Sequence, residues 1–190
     1  MALALHGSQN ENLQKQDGLG MNDRMRKVFF ALWPDENLRS QLAELQEPIQ
    51  QGRKVPVESL HLTLHFVGQV ESVDCLLEQA EKIHFLPGSI KLEDYGVFEK
   101  ARVLWAGPVQ WSKEIVELSS ACRETAKTCG YPAHTERFRP HVTLARKISH
   151  LPELPAFKPV QWEFHTFSLV ESNSTNHGVS YRVLQTFNGK

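Results

Sequence analysis

The sequence predicts an α+β protein of two lobes, in which antiparallel sheets carry helices on the outside and enclose a central cleft. The first observation is a tetrapeptide, His-apolar-Thr-apolar, that occurs at residues 61–64 and again at residues 141–144. The second is that each copy follows a helical stretch closed by a glycine, Gly52 in the first half and Gly130 in the second. Two matching helix–loop–strand units predict a pseudo-twofold arrangement in which both motif strands line the cleft.

The first half opens with a strand and a helix. Residues 28–33 are apolar and are followed by Pro34, which indicates a buried strand that ends there. Asp35 suits the N-cap of the helix. A strand over residues 60–67 carries the first motif, and a second helix is predicted over residues 72–83. The predicted buried face of the first helix consists of Leu38, Leu42, Leu45 and Ile49.

The second half repeats this order after a strand pair, which is predicted over residues 90–98 and 103–107. Ser112 suits the N-cap of a third helix, which Gly130 ends. The second motif lies on the strand that follows. The predicted apolar stripe of the third helix consists of Ile115, Leu118, Cys122, Ala126 and Cys129.

Two further strands are predicted near the end of the chain, over residues 162–170 and 179–184. Residues 173–178 between them are rich in Asn, Ser and Gly, which favour turns. Residues 1–25 are polar and predict a disordered extension, so we expect residues 26–190 to form the two-lobed domain. No apolar run resembles a signal peptide or reaches the roughly 20 residues of a membrane span.

Composition narrows the function classes. The formal net charge of −1 over 190 residues argues against a broad duplex-binding surface, which needs a clearly basic face. The cysteines, Cys75, Cys122 and Cys129, are odd in number and form no Cys-x-x-Cys pair. We therefore expect neither a disulfide framework nor a thiolate zinc site, and a reducing cytoplasm fits best.

The two motifs carry the chemistry. Alternation along a strand puts His61 and Thr63 on one face and does the same for His141 and Thr143, while the apolar residues between them enter the core. Two imidazoles can act as an acid and a base near neutral pH, and two hydroxyls can hold the non-bridging oxygens of a phosphate. Neither motif brings a cysteine or an elbow serine, so no covalent intermediate is indicated.

Neighbouring residues are second candidates. A guanidinium suits a bidentate grip on phosphate, but strict alternation puts Arg146 on the face opposite His141, so the strand must bend or end there. Phe66 has the same relation to His61, whereas His65 shares the motif face and could sit beside the site in a supporting role. The basic residues around the second motif, which are equally consistent with a solvated rim, are Arg137, Arg139, Arg146 and Lys147.

Longer strings carry a family resemblance. Phe29-Phe30-Ala31-Leu32-Trp33-Pro34, His61-Leu62-Thr63-Leu64-His65-Phe66-Val67-Gly68 and Phe138-Arg139-Pro140-His141-Val142-Thr143-Leu144-Ala145-Arg146 resemble the 2H phosphoesterase superfamily, in its bacterial RNA 2′,3′-cyclic phosphodiesterase branch, formerly called 2′-5′ RNA ligase. The segments 169–172 and 178–181 resemble the closing hairpin of that branch. The similarity covers nearly everything from Arg26 onward.

The resemblance implies hydrolysis of a terminal RNA 2′,3′-cyclic phosphate to a 2′-phosphate, with no metal and no cofactor. It makes His61 the proton donor and His141 the proton acceptor, with Thr63 and Thr143 on the phosphate. It also suggests Phe66 for the nucleoside pocket, where core packing is the competing interpretation. The expected partners are RNA ends or small cyclic-phosphate nucleotides, with a monomer that needs no protein partner.

Four alternatives stay open at this point. The same site could run in reverse and ligate RNA through a 2′-5′ linkage, or it could hydrolyse another small cyclic phosphate or a 2′-5′ linked nucleotide. The third is a binding module that holds RNA ends without turnover. The fourth is metal-dependent hydrolysis, since His61 and His65 are four residues apart, but the alternating pattern indicates a strand and no Glu stands between them as in His-Glu-x-x-His.

Overall fold

A computed structural model describes residues 25–132, 137–175 and 178–189, and the predicted disorder of the first two dozen residues lies outside them. The described residues form three α-helices and ten strands. The helices are α1 (Glu36–Glu44), α2 (Asp74–Ala80) and α3 (Lys113–Thr128). The strands are β1 (Arg26–Leu32), β2 (Arg53–Lys54), β3 (Leu62–Val70), β4 (Gly88–Leu92), β5 (Asp94–Phe98), β6 (Val103–Gly107), β7 (Val142–Arg146), β8 (Val160–Phe164), β9 (Thr166–Thr175) and β10 (Gly178–Asn188).

The main sheet is antiparallel and has the strand order β10-β9-β1-β3-β7-β6-β5, with β2 also paired to β7. Strands β4 and β8 form a separate antiparallel pair. The two motif strands, β3 and β7, are neighbours at the centre of the main sheet and share the single residue pair Leu62 and Val142. The predicted α+β class with antiparallel sheets is confirmed.

The two halves of the main sheet have the same construction. In each half an antiparallel strand pair is connected through a helix, β1–α1–β3 in the first and β6–α3–β7 in the second. Each half then adds an outer strand, β9 beside β1 and β5 beside β6. The pseudo-twofold axis therefore passes near the pair of Leu62 and Val142.

One face of the main sheet packs against the helices and forms the core. That core includes Leu62 and Leu64 from β3, Leu42 from α1 and Leu118 from α3, all at most 3 % exposed. Burial of these side chains is the main stabilising contribution. The other face is much less covered: its small apolar cluster consists of Phe29, Ala31 and Val170, with Trp33 and Tyr181 packed against it.

Two predicted helix boundaries had different outcomes. Asp35 caps α1 as predicted, because its carboxylate accepts a hydrogen bond from the Leu38 backbone N–H at 2.7 Å. Gly52, however, is not the helix stop, since α1 ends at Glu44. Its φ of +75° and its packing explain the residue better: a Cβ there would lie 2.5 Å from the carbonyl oxygen of Arg146.

Two predicted strands are each two strands in the structure. The stretch 90–98 divides at Glu93 into β4 and β5, and the stretch 162–170 divides at His165 into β8 and β9. The first member of each pair belongs to the small sheet and the second to the main sheet. A continuous apolar pattern does not reveal such a change of sheet, because both sheets bury their residues against the same core.

The prediction that the cysteines form no disulfide was wrong. Cys75 on α2 and Cys129 at the end of α3 form a disulfide with their Cα atoms 5.8 Å apart, and only Cys122 stays a free thiol, buried in the core. Counting cysteines and their spacing could not predict this bond, because the packing of α2 against α3 brings together residues 54 positions apart. Among the residues that the structure describes, no helix is long and apolar enough to cross a membrane.

Candidate active site

The four motif side chains form a compact group at the centre of the open sheet face. Leu62 and Val142 are paired and point into the core, where both are fully buried. Continuing this antiparallel register by one residue in each direction sets His61 beside Thr143 and Thr63 beside His141. All four side chains are half-buried on the opposite face. We call this arrangement the His/Thr quartet.

Both imidazoles are oriented by the same backbone contact. Nδ1 of His61 lies 2.8 Å from the Ser59 carbonyl oxygen, and Nδ1 of His141 lies 2.8 Å from that of Arg139. A carbonyl oxygen only accepts, so each Nδ1 donates its hydrogen and Nε2 is the nitrogen available for proton transfer. Nε2 of His61 is 3.1 Å from Oγ1 of Thr63, which places a motif hydroxyl directly beside it.

The site disfavours a charge on either imidazole. The pKa of His61 is lowered to about 4, chiefly by burial; the hydrogen bond to Ser59 opposes the shift, and charge on His141 and Arg146 adds to it. Burial also lowers the pKa of His141, with Arg146 and Arg139 adding to the effect. Both rings are thus neutral near pH 7 in the free protein. An anion bound in the quartet would act in the opposite direction and favour protonation.

A matching irregularity follows each motif. The partner of Ala31 on β1 is Thr63, but the partner of Phe30 is His65, so Leu64 is an extra residue in β3. In the other half, Trp105 pairs with Thr143 and Leu104 pairs with Ala145, so Leu144 is the extra residue in β7. Both are β-bulges, which change the alternation of faces beyond the threonine.

The bulges explain where the second candidates lie. Strict alternation beyond Thr63 is wrong: Phe66 is 36 % exposed and lines the cleft with His61, whereas His65 is buried and is not among the cleft-lining residues. Arg146 occupies the position in β7 that Phe66 has in β3, and it lines the same cleft. The sequence predicted that the strand must bend or end before Arg146 for its side chain to reach the site. The bulge at Leu144 is that bend.

The cleft beside His61 has a volume of about 490 Å³ and a basic lining. Among the described residues that line it, four are basic and none is acidic, which favours an anionic ligand. Sequence reasoning missed Lys27, Arg53 and Lys54, because β1 and β2 reach the cleft only through their pairing with the motif strands. The lining includes Lys27, Phe29, Arg53, Lys54, Val55, Pro56, Ser59, His61, Thr63, Phe66, Arg146, Ser172, Val179 and Tyr181.

The two histidines have different aromatic surroundings. His61 stacks on Trp33 with ring centroids 5.4 Å apart and an interplanar angle of 8°. His141 meets Phe98 edge to face at 4.8 Å, and Arg139 lies 5.9 Å from that ring. These rings exclude water from one side of each imidazole, which is consistent with the lowered pKa values.

A second cavity, of about 790 Å³, is lined in part by His141. Arg137 and Arg139 line it, together with the apolar side chains of Phe98, Trp111 and Phe138. Lys147, the remaining basic candidate, lines neither cavity. Within residues 25–132, 137–175 and 178–189, no cluster of three or more His, Cys, Asp or Glu side chains is placed to hold a metal ion.

Residues 34–176 match the family model described as the 2′-5′ RNA ligase superfamily. The chain belongs to this superfamily. The family resemblance carried by the two motifs is thereby confirmed. Members of the superfamily with curated names include the RNA 2′,3′-cyclic phosphodiesterase of Escherichia coli, 29 % identical over 140 residues that cover 68 % of this chain and 77 % of that protein. The protein of the same name from Thermus thermophilus is 27 % identical and covers 85 % of this chain and 89 % of its own length.

Several solved structures have the same architecture as this chain. A crystal structure described as a phosphoesterase superposes with a TM-score of 0.81 at 26 % identity, covering 87 % of this chain and 99 % of that one. The apo form of E. coli LigT superposes with a TM-score of 0.79 at 26 % identity, covering 87 % and 98 %. The complex of E. coli LigT with 3′-AMP gives a TM-score of 0.79 at the same identity, covering 87 % and 99 %.

Proposed function

We propose that this protein hydrolyses the 2′,3′-cyclic phosphate at an RNA 3′ end and leaves a 2′-phosphate, by metal-free acid–base catalysis. The observation that carries the proposal is the His/Thr quartet, because it brings two oriented imidazoles and two hydroxyls together on one face of the sheet. A phosphate there meets a proton donor, a proton acceptor and donors for its non-bridging oxygens. The names of the curated relatives support this substrate class.

The quartet accounts for each step of an in-line displacement. His141 Nε2 accepts a proton from water as the water oxygen bonds to phosphorus opposite the 3′ oxygen. The bond from phosphorus to the 3′ oxygen breaks, and His61 Nε2–H gives that oxygen its proton. The reaction leaves His61 neutral and His141 protonated, and exchange with solvent restores the starting state. The family resemblance alone decides which histidine gives the proton.

Charge development explains the role of the other groups. The hydroxyls of Thr63 and Thr143 donate to the non-bridging oxygens, and the Arg146 guanidinium balances the added negative charge. The phosphate in turn favours protonation of His61, which burial keeps neutral in the free protein. The acid is thus charged mainly when substrate is bound. Phe66, on the cleft floor beyond Thr63, packs against the terminal nucleoside.

The direct test uses an oligoribonucleotide that ends in a 2′,3′-cyclic phosphate, with and without a metal chelator. The expected result is equal turnover in both samples and a product whose phosphate is on the 2′ oxygen. Loss of turnover in chelator would overturn the metal-free step, and a 3′-phosphate product would reverse the assigned bond cleavage. Binding of the oligonucleotide without turnover would make the protein a binding module.

The second cavity, which His141 lines, favours a second reaction of the same site. His141 would activate whatever nucleophile approaches from that side, and the space there is far larger than one water molecule needs. A 5′-hydroxyl end in place of water would give a 2′-5′ linkage, the reverse of its cleavage. Adding an RNA with a 5′-hydroxyl to the assay tests this, since a longer product is expected only if the cavity accepts it.

We also propose that the protein acts as a monomer without an obligatory protein partner and that its location is the cytoplasm. The disulfide between Cys75 and Cys129 argues against the cytoplasm, because such bonds are rare in a reducing compartment. Titration of free thiols in protein purified under an alkylating agent tests whether Cys75 and Cys129 are oxidised in the cell. Three reactive thiols after denaturation fit a reducing compartment, and one thiol fits an oxidising one.

A further inference from the structure

Three further polar or basic side chains line the cleft on strands β1, β9 and β10. Lys27 on β1 pairs with Ser172 on β9, and Ser172 pairs with Tyr181 on β10. All three residues line the cleft. Because these strands are adjacent, the three side chains lie side by side across the sheet floor.

Tyr181 reaches back to the quartet, since its ring centroid lies 5.0 Å from that of His61, whereas the backbone of Lys27 lies farther away. Ala31 on β1 pairs with Thr63 of the quartet, and Lys27 is four residues farther along the same strand, which corresponds to about 13 Å. Phe29 and Phe66, which are paired, fill the row between them. The cleft floor therefore runs from the quartet across the aromatic row of Phe29 and Phe66 to Lys27 and Ser172, which we call the basic row.

Lys27 is held at the floor of the cleft. Its Nζ lies 5.3 Å from the centroid of the Phe66 ring. A cation–π contact at an exposed position is weak, so a phosphate oxygen can take over the ammonium at small cost. None of the described residues that line this cleft is acidic, so no carboxylate among them competes for the ammonium.

We propose that Lys27, assisted by Ser172, binds the phosphodiester that precedes the terminal nucleotide of the substrate. This subsite rests on the proposed function, since it takes its direction from a terminal phosphate in the quartet. The terminal nucleoside then spans the aromatic row, and the preceding linkage reaches the basic row. The favoured substrate is an RNA strand end of two or more nucleotides, not a free cyclic mononucleotide.

The test compares two dinucleotides that both end in a 2′,3′-cyclic phosphate. One has an ordinary phosphodiester between its nucleosides, and the other has an uncharged methylphosphonate there. The measured quantity is the ratio of their kcat/KM values. In the wild-type protein we expect a ratio of about 5 to 10 at low salt, falling as salt rises, because the subsite recognises a charge.

Lys27→Gln should reduce this ratio to about 1 to 2 and remove most of its salt dependence. Lys158→Gln is the matched control, since Lys158 is exposed and lines neither cavity, and it should keep the wild-type ratio. A Lys27→Gln variant with the wild-type ratio overturns the subsite. So does a wild-type ratio of 1 with both substrates opened, whereas failure to open either substrate overturns the proposed function itself.

Discussion

The two halves of the site are alike in backbone and different in surroundings. In each half a histidine donates from Nδ1 to the carbonyl two residues earlier, a threonine follows two residues later, and a bulge comes directly after it. Five residues after the histidine, however, the first half has Phe66 and the second has Arg146. The comparison shows how one repeated backbone unit can supply two equivalent imidazoles and still build an asymmetric cleft.

The asymmetry has a chemical consequence. Phe66 gives one half an apolar floor that suits a nucleoside, whereas Arg146 gives the other a positive charge that suits a phosphate. Arg146 also lowers the pKa of both histidines. In the proposed mechanism, the residues that differ orient the substrate, and the residues that match carry the proton transfers.

The largest expected effect comes from removing either imidazole. His61→Ala and His141→Ala should each lower kcat by at least ~10²-fold, because each supplies a separate proton transfer. The combined variant should cost much less than the product of the two losses, because both groups serve one transition state. Steady-state rates with a cyclic-phosphate oligonucleotide measure this.

His84→Ala is the control for these variants. Its Nδ1 lies 2.8 Å from the Lys82 carbonyl oxygen, so it has the same backbone contact as the two motif histidines, but it lines neither cavity beside the quartet. Its kcat should equal that of the wild type. If one motif histidine could be replaced with a similarly small effect, that half of the site would have no part in the chemistry.

The hydroxyls should contribute less than the imidazoles. Thr63→Val and Thr143→Val keep the shape of the side chain and remove one donor to the phosphate, which should lower kcat by about 10- to 100-fold. Thr→Ser at either position restores a hydroxyl and should recover most of the rate. Equal losses in the valine and serine variants would indicate packing instead of hydrogen bonding.

Replacement of Arg146, which differs from Phe66 at the matching position, should alter the pH dependence of kcat/KM. Arg146→Gln removes a positive charge near both histidines, so their pKa values should rise toward the ordinary range. The acidic limb of kcat/KM, where the base becomes protonated, should then move to higher pH, and KM should rise about 10-fold with loss of the phosphate contact. An unchanged acidic limb would mean that Arg146 does not act on the imidazoles.

The smallest effect concerns stability. The pKa of His61 is about 4 in the folded protein and about 6.5 when unfolded, so the unfolded chain binds more protons between these values. The free energy of unfolding is therefore highest above pH 6.5, where His61 is neutral in both states, and it decreases as the pH falls toward 4. Between pH 7.5 and 4.5 the free energy of unfolding of the wild type should fall by on the order of 2 kcal/mol more than that of His61→Gln. Urea titrations at both pH values measure this, and parallel losses would contradict the burial of a neutral His61.

The sequence was sufficient for features that depend on local spacing. The His-x-Thr pairs predicted the quartet, and Asp35 and the stripe of α3 were readable because a cap and a helical face repeat within a few residues. The bulges at Leu64 and Leu144 were not readable, since an extra residue shows only against its partner strand. This is why alternation misplaced His65 and Phe66.

The features that the sequence did not predict depend on long-range contacts. Cys75 and Cys129 meet only after α2 packs on α3, and Lys27 and Tyr181 join the cleft only because β1 and β10 lie in the same half of the sheet as β3. Gly52 looked like a helix stop because its role, close contact with Arg146, depends on a strand 94 positions later. Each of these positions is decided by tertiary packing, which local patterns do not record.

The central claim is that two matching halves perform opposite proton transfers at one phosphate. A cyclic-phosphate substrate in which sulfur replaces the 3′ bridging oxygen tests it, because a thiolate leaves without needing a proton. With this substrate the rate of His61→Ala should return to within about 10-fold of the wild-type rate, while His141→Ala should stay at least ~10²-fold slower. Rescue of His141→Ala instead would exchange the two roles, and equal impairment of both variants would contradict the division of acid and base between the halves.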